Sequence, residues 1–147
     1  LLVTAVFLVV GERLLRGVKT FPQLTWLDTL IIGTFQVLAL MPGVSRSGTT
    51  IGVGLGGGLD RPSAARFSFL VGLPSIAGAG LLAILDIFTA QGSLPLGHYA
   101  AAFVTAAVVG YLCIAFLLTW LKSHSLYLFA AYCATVGTLY LLYSLFF

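Results

Sequence analysis

Long apolar runs divide this chain, and one of them is broken in its middle. The first run opens at Leu1 and is closed by Glu12, Arg13, Arg16 and Lys19, which predicts a helix over residues 1–16. A polar connection with Pro22 follows over 17–24, and Thr25-Trp26-Leu27-Asp28 has the form of a helix-opening capping box, with Asp for the usual Glu. The next apolar stretch runs from Thr29 to Leu40, stops at Pro42-Gly43 and resumes from Val44 to Leu59. Each arm is about a dozen residues, whereas a helix needs about 20 to span a bilayer. Residues 28–59 therefore read as a re-entrant helical hairpin, with irregular backbone tolerated only where protein or a cavity surrounds it. Asp60-Arg61-Pro62 is a strong helix start, opening a spanning helix from Ser63 to Phe88 that Pro74 should kink. An exposed loop over 91–98 precedes a second span from Tyr99 to Leu121. A tight turn at Lys122-Ser123-His124-Ser125 precedes a third from Leu126 to Phe147.

Composition agrees with this pattern. The 147 residues are 60% hydrophobic and 7% charged, with a mean hydropathy of +1.11, against about 25% charged in soluble domains. The fold class is all-α, a polytopic helical membrane protein, with residues 1–147 as one membrane domain. Leu1 to Val10 has neither the basic flank nor the cleavage site of a signal peptide, so it reads as the end of a spanning helix in a longer protein. The chain is then a C-terminal portion. Seven Lys and Arg against four Asp and Glu are too few for a nucleic-acid surface. Cys113 and Cys133 lie within apolar segments and read as small packed side chains, and no Cys/His cluster has metal-ligand spacing.

The basic residues orient the chain. Arg13, Arg16, Lys19, Arg61 and Lys122 all lie in connections. If 28–59 enters and returns, all five fall on one side; a single crossing would split them. The positive-inside rule favours the hairpin and makes that side cytoplasmic. The remaining two basic residues, Arg46 and Arg66, fall at or near membrane depth.

Chemistry concentrates at Met41-Pro42-Gly43-Val44-Ser45-Arg46-Ser47-Gly48-Thr49-Thr50. A charge at membrane depth is costly and marks a functional site by default. After Pro42-Gly43 a helix begins, and helix amino ends carry free N–H groups and partial positive charge that suit an anion. Arg46 adds a planar fork that matches phosphate oxygens. Ser47 and Thr50 are spaced to share a helix face, as are Arg46 and Thr50, and Ser45 and Thr49. Arg66 starts the next helix and could close over the same anion, or snorkel to the interface. Gln36 could line the site or bond the Pro-Gly backbone. Plainer readings stand beside these. Hydroxyls in membrane helices often bond only a carbonyl, and Arg46 could be a partner of Asp28 or Asp60. Gly48, Gly52 and Gly56 read as a helix-packing stripe. His98 and His124 sit in connections and read as non-catalytic. Between Thr29 and Leu59 there is no Asp, Glu or His. The hairpin thus offers an anion-binding half-site with no evident general base.

The stretch Pro42-Gly43-Val44-Ser45-Arg46-Ser47-Gly48-Thr49-Thr50 resembles the PGxSRSGxT signature of the bacterial undecaprenyl-diphosphate phosphatase (BacA) family. Gly33-Thr34-Phe35-Gln36, Ala64-Ala65-Arg66-Phe67-Ser68-Phe69 and His124-Ser125-Leu126-Tyr127-Leu128-Phe129 extend the resemblance over essentially the whole chain, as that family's C-terminal half. The resemblance implies two inverted repeats, each with a re-entrant hairpin. It implies hydrolysis of undecaprenyl diphosphate to undecaprenyl phosphate and phosphate, on the external side of the bacterial plasma (inner) membrane, to recycle the cell-wall lipid carrier. Ser45, Arg46, Ser47 and Thr50 fall on its catalytic motif, with Gly43, Arg46, Arg66 and Gln36 as candidate substrate-binding residues. Attack by a serine and attack by water both stay open. The implied partners are the polyprenyl diphosphate lipid and an N-terminal half carrying a glutamate pair and a histidine; a homodimer is also open. The family further implies a divalent cation, Mg²⁺ or Ca²⁺, for which this chain shows no ligands. The alternative function is a polyprenyl-phosphate transporter or flippase, since broken helices aimed at an anion are transporter architecture as well.

Overall fold

A computed structural model describes residues 1–147 apart from Val18, Pro42, residues 90–95 and Phe147. Among the described residues the chain is built from six α-helices: α1 Leu2–Leu14, α2 Trp26–Gln36, α3 Arg46–Gly56, α4 Arg61–Thr89, α5 Leu96–Trp120 and α6 Tyr127–Phe146. Short 3₁₀ turns at Phe21–Gln23 and Val37–Leu40 lead into and out of α2. Parts of α4, α5 and α6 are long and apolar enough to cross a membrane, over Arg61–Asp86, Gly97–Trp120 and Tyr127–Phe146. The protein is an all-α, polytopic membrane protein.

The capping signals work as local chemistry requires. The Thr25 hydroxyl accepts from the Asp28 amide at 3.1 Å, and the Asp28 carboxylate accepts from the Thr25 amide at 3.0 Å. Shorter than glutamate, Asp28 still closes the box. The Asp60 carboxylate accepts from the Ser63 amide at 2.8 Å and caps α4. Lys19 lies along the end of α3: its amide donates to the Gly58 carbonyl and the Asp60 amide to the Lys19 carbonyl, both at 2.9 Å. The Phe21 amide reaches the Ser63 hydroxyl at 2.9 Å. Lys19 pairs with Asp28 at 3.0 Å, and the Arg61 Nε donates to the buried Glu12 carboxylate at 2.8 Å. That carboxylate also accepts from the Leu126 amide at 3.4 Å. The end of α1, both outer ends of the α2–α3 hairpin, the start of α4 and the α5–α6 turn are thereby tied into one layer. Arg13, Arg16, Lys19, Arg61 and Lys122 all belong to it.

The α2–α3 hairpin leaves this layer and comes back to it. Each arm has 11 helical residues, or about 16 Å at 1.5 Å per residue, half of the ~30 Å hydrocarbon core. Pro42 lies outside the described residues. Around it the Val44 amide donates to the Met41 carbonyl at 3.2 Å. Gly43 takes φ 85°, a left-handed value that a side chain would disfavour. The bend's depth can be measured along its neighbours. Thr4, which meets Ser45, lies ten residues before the end of α1. Gly72, which meets Arg46, lies eleven residues into α4. Both spacings place the bend about 15 Å from the charged layer, near the middle of the spans.

The Gly48, Gly52 and Gly56 stripe packs α3 onto α1, facing Thr4, Phe7 and Leu14 in turn. A Cβ on Gly52 would lie 2.5 Å from the Phe7 carbonyl oxygen, so the two backbones all but touch. The core gathers at the charged end, around Leu8, Ile51, Leu55, Leu59, Leu121 and Leu126. No residue of the most apolar stretch of α5 is buried. Pro74 lies inside α4 without ending it. The exposed loop expected over 91–98 falls largely outside the described residues, but His98 is described, exposed in the first turn of α5.

Candidate active site

The amino end of α3 assembles the site. Ser45 is its N-cap: its hydroxyl accepts from the Gly48 amide at 3.3 Å and its carbonyl from the Thr49 amide at 2.9 Å. The Ser45 amide is held by the Thr4 hydroxyl of α1 at 2.8 Å. The Ser47 hydroxyl lies 3.5 Å from that of Ser45. The amides of Arg46 and Ser47 open the helix and so have no acceptor within it, which leaves them at the positive end of the helix dipole. Ser45, Ser47 and Arg46 are all half-buried.

Arg46 turns from the serines toward α4, where its Nη1 donates to the Gly72 carbonyl at 2.9 Å. Among the described residues it makes no ion pair. Asp28 is engaged by Lys19 and Thr25, and Asp60 by the α4 cap, so the reading of Arg46 as partner to either carboxylate does not apply. Gln36 reaches the same stretch of α4, its Nε2 donating to the Ser75 hydroxyl at 3.2 Å, while its Oε1 is buried without a partner. Gly43 is exposed at the bend. Beside it, an apolar groove of about 600 Å³ runs between α1, the bend and α6, past Leu2, Val3, Met41, Val44, Tyr140 and Leu141.

Other candidates are placed elsewhere. Thr50, placed among the catalytic residues by the resemblance and on a shared face with Arg46 and Ser47 by spacing, is buried, and its hydroxyl donates back to the Arg46 carbonyl at 2.9 Å. Its oxygen also meets the Ser68 hydroxyl of α4 at 2.6 Å. Thr50 thus fastens the first turn of α3 to α4 and does not line an open face; the carbonyl bond common to hydroxyls in helices prevails. Thr49 is fully buried with its hydroxyl unpartnered, so it does not share an open face with Ser45. Arg66 does not close over the bend. Its guanidinium lies 5.1 Å from the centre of the Phe21 ring, in the charged layer. It is six residues short of Gly72 on α4, about 9 Å along the axis. His124 is exposed at that layer, stacked on Trp120 at 3.8 Å.

Among the described residues no three His, Cys, Asp or Glu side chains converge. The donors at the bend are a guanidinium, two hydroxyls and amides, a set that suits an anion and repels a dication. The residues here therefore do not fit Mg²⁺ or Ca²⁺. Outside the spans, Asp28 has its carboxyl held below the usual range by the Thr25 amide, the Thr25 hydroxyl and Lys19.

Thr4, Ser68, Ser75 and Gly72 enter the site only through the fold. Ser68 lies in the Ala64–Phe69 stretch that extends the resemblance; nothing near Thr4, Gly72 or Ser75 in sequence marks them, because each pairing is set by how α1 and α4 cross the hairpin.

Fold and site together define a class: a polytopic membrane protein whose broken helix presents an arginine, two serines and a free helix end at half depth. The family model described as "Bacitracin resistance protein BacA" matches residues 1–139, and the chain belongs to that family. It is 44% identical over 137 residues to the undecaprenyl-diphosphatase of Syntrophobacter fumaroxidans, covering 93% of this chain and 49% of that protein. It is 44% identical over 144 residues to that of Mycolicibacterium smegmatis, covering 96% and 52%. With that of Chlorobaculum parvum it shares 48% over 125 residues, covering 83% and 44%. The chain spans about half the length of these curated relatives.

Proposed function

We propose that this chain forms the phosphate-binding half of an undecaprenyl-diphosphate phosphatase. The observation that carries the reading is Arg46, a half-buried guanidinium at half membrane depth that rests on a neutral carbonyl beside the open end of α3. Among the described residues no carboxylate pairs with it. A diphosphate bound there meets the guanidinium fork, the amides that open α3 and the Ser45 and Ser47 hydroxyls. Gly43 gives the headgroup room at the bend, Gln36 orients its oxygens, and the groove beside Gly43 takes the first isoprene units. The reaction breaks the P–O–P link and adds the elements of water, leaving undecaprenyl phosphate and inorganic phosphate. Acid–base chemistry, and a divalent cation where one is used, come from groups outside this chain. The amino end of α3 points away from the basic layer, which supports a site opening to the external side of the plasma membrane.

The test is phosphate release from undecaprenyl diphosphate by the full-length protein in detergent. Arg46→Lys keeps the charge and loses the bidentate fork, and we expect turnover to fall on the order of a hundredfold or more. Near-wild-type turnover would make Arg46 structural. Ser45→Ala and Ser47→Ala divide the mechanisms: a serine that attacks leaves an almost dead alanine variant, whereas serines that only bind each leave partial activity. The 147-residue chain alone is expected to release no phosphate, and co-expression with a half that carries the glutamates and histidine to restore it. The half-depth bend also favours a second reading, a polyprenyl-phosphate transporter. Release in detergent, where there is only one compartment, separates the two: hydrolysis proceeds and transport cannot.

A further inference from the structure

We propose that Gly72 is a positioning residue for Arg46, and that its missing side chain is what seats the guanidinium over the α4 backbone. A Cβ built on Gly72 would lie 2.5 Å from the Arg46 Nη2, 2.6 Å from Cζ and 2.8 Å from Nη1. Real Cβ atoms do not approach heavy atoms so closely. The guanidinium fills the volume a side chain would take, and this seat lets Nη1 reach the Gly72 carbonyl at 2.9 Å.

The site shows why a glycine stands there. Glycine in a helix interior is disfavoured against alanine because it loses more backbone freedom on folding. Pro74, two residues on, removes a backbone donor from the same stretch. The arginine's seat is thus one helix-weakening residue, with a second close after it. The neighbour that an alanine would strike is the mobile end of a long side chain. At Gly52 the atom struck is the Phe7 carbonyl oxygen, part of a backbone. A Cβ at Gly72 would move Arg46 and leave the helices in place, whereas one at Gly52 would push two helices apart. Evicted, the guanidinium loses its carbonyl anchor on α4 and swings as a free rotamer, so the fork is no longer held in one place beside the bend. Bidentate anion binding depends on such fixed placement.

The proposal rests on the reading of Arg46 as the diphosphate clamp, and the experiment separates the two. Phosphate release from undecaprenyl diphosphate and the thermal midpoint in detergent are measured for the full-length protein and for Gly72→Ala, Arg46→Ala and the double variant. We expect Gly72→Ala to lose at least tenfold in kcat/KM while its midpoint stays level or rises. Adding Gly72→Ala to Arg46→Ala should then cost nothing more, since the residue it positions is gone. An equal further tenfold loss in the double variant would mean that Gly72 acts through the helix and would overturn the proposal. So would full activity of Gly72→Ala alongside a dead Arg46→Ala, which leaves the clamp intact. A lowered midpoint with a proportionate loss of activity would also overturn it. Full activity of Arg46→Ala would sink the clamp itself.

Discussion

Two arginines, Arg61 and Arg46, show what different partners do to the same side chain. Arg61, in the charged layer, meets the buried carboxylate of Glu12, and its charge is matched within the fold. Arg46, at the bend, meets among the described residues the Gly72 carbonyl, a dipole with no net charge, and no carboxylate. The first is a closed pair that pins α4 to α1. The second is anchored but not neutralised. On the function proposed above, a guanidinium kept unneutralised at half depth is held for an anion. The hydroxyls follow the same division. Those of Ser45 and Ser47 gather beside the open end of α3, whereas Thr50 and Ser68 satisfy each other behind it.

If this contrast is right, substitutions at the two arginines fail in different currencies. The largest effect is expected at the bend. Arg46→Lys should leave the thermal midpoint in detergent nearly unchanged while turnover falls on the order of a hundredfold or more. Loss of folded protein in step with activity would erase the distinction. Next comes Arg61→Ala, which strands the Glu12 carboxylate. Breaking a buried pair costs about 3–5 kcal/mol, and partial exposure of Arg61 brings the expected loss to about 2 kcal/mol. Chemical unfolding should register it, with kcat of the surviving folded enzyme near normal.

Between these regions runs the glycine contact. Gly52→Ala forces α1 from α3 and should cost about 1–2 kcal/mol by overpacking. A midpoint unmoved by Gly52→Ala would mean that the two backbones are not held so close. The smallest effect belongs to the entry of α2. Thr25→Ala removes a cap that reaches the Asp28 amide and should cost about 1 kcal/mol. Asp28 adds an acid dependence of known sign. Its carboxyl is held below its ordinary value by the Thr25 amide, the Thr25 hydroxyl and Lys19. The stability it contributes is therefore present above the unfolded value near 3.8 and is lost as pH falls through the lower folded value. Asp28→Asn should flatten that acid limb of a pH–stability curve, and an unchanged limb would assign it to other groups.

Local features were legible from the chain alone, and crossings were not. The Thr25 box and the Asp60 cap depend on residues three apart, so their chemistry shows in the sequence. The packing role of Gly48, Gly52 and Gly56 showed in their spacing, though the partner helix α1 did not. The charge pattern placed Arg13, Arg16, Lys19, Arg61 and Lys122 together because membrane insertion acts on whole connections. For Thr50 and Arg66, helical spacing says which residues share a face, and not what the face meets. Thr50 met its own helix carbonyl and Ser68; Arg66 met Phe21. Gly72 carries no local mark, since its meaning lies in a guanidinium 26 residues away.

The depth of the bend also has an electrical meaning. A site half-way through the hydrocarbon core lies about half-way down the transmembrane potential. Moving one elementary charge across the whole membrane is worth about 2.3 kcal/mol per 100 mV, so each negative charge brought to the bend from outside works against about half of that when the inside is negative. The fixed charge of Arg46 is set against this opposing field. On the proposed function, with the diphosphate entering from outside, a cell's membrane voltage and its supply of headgroup would then be coupled at this site, and the coupling would weaken if the bend lay nearer the outer surface.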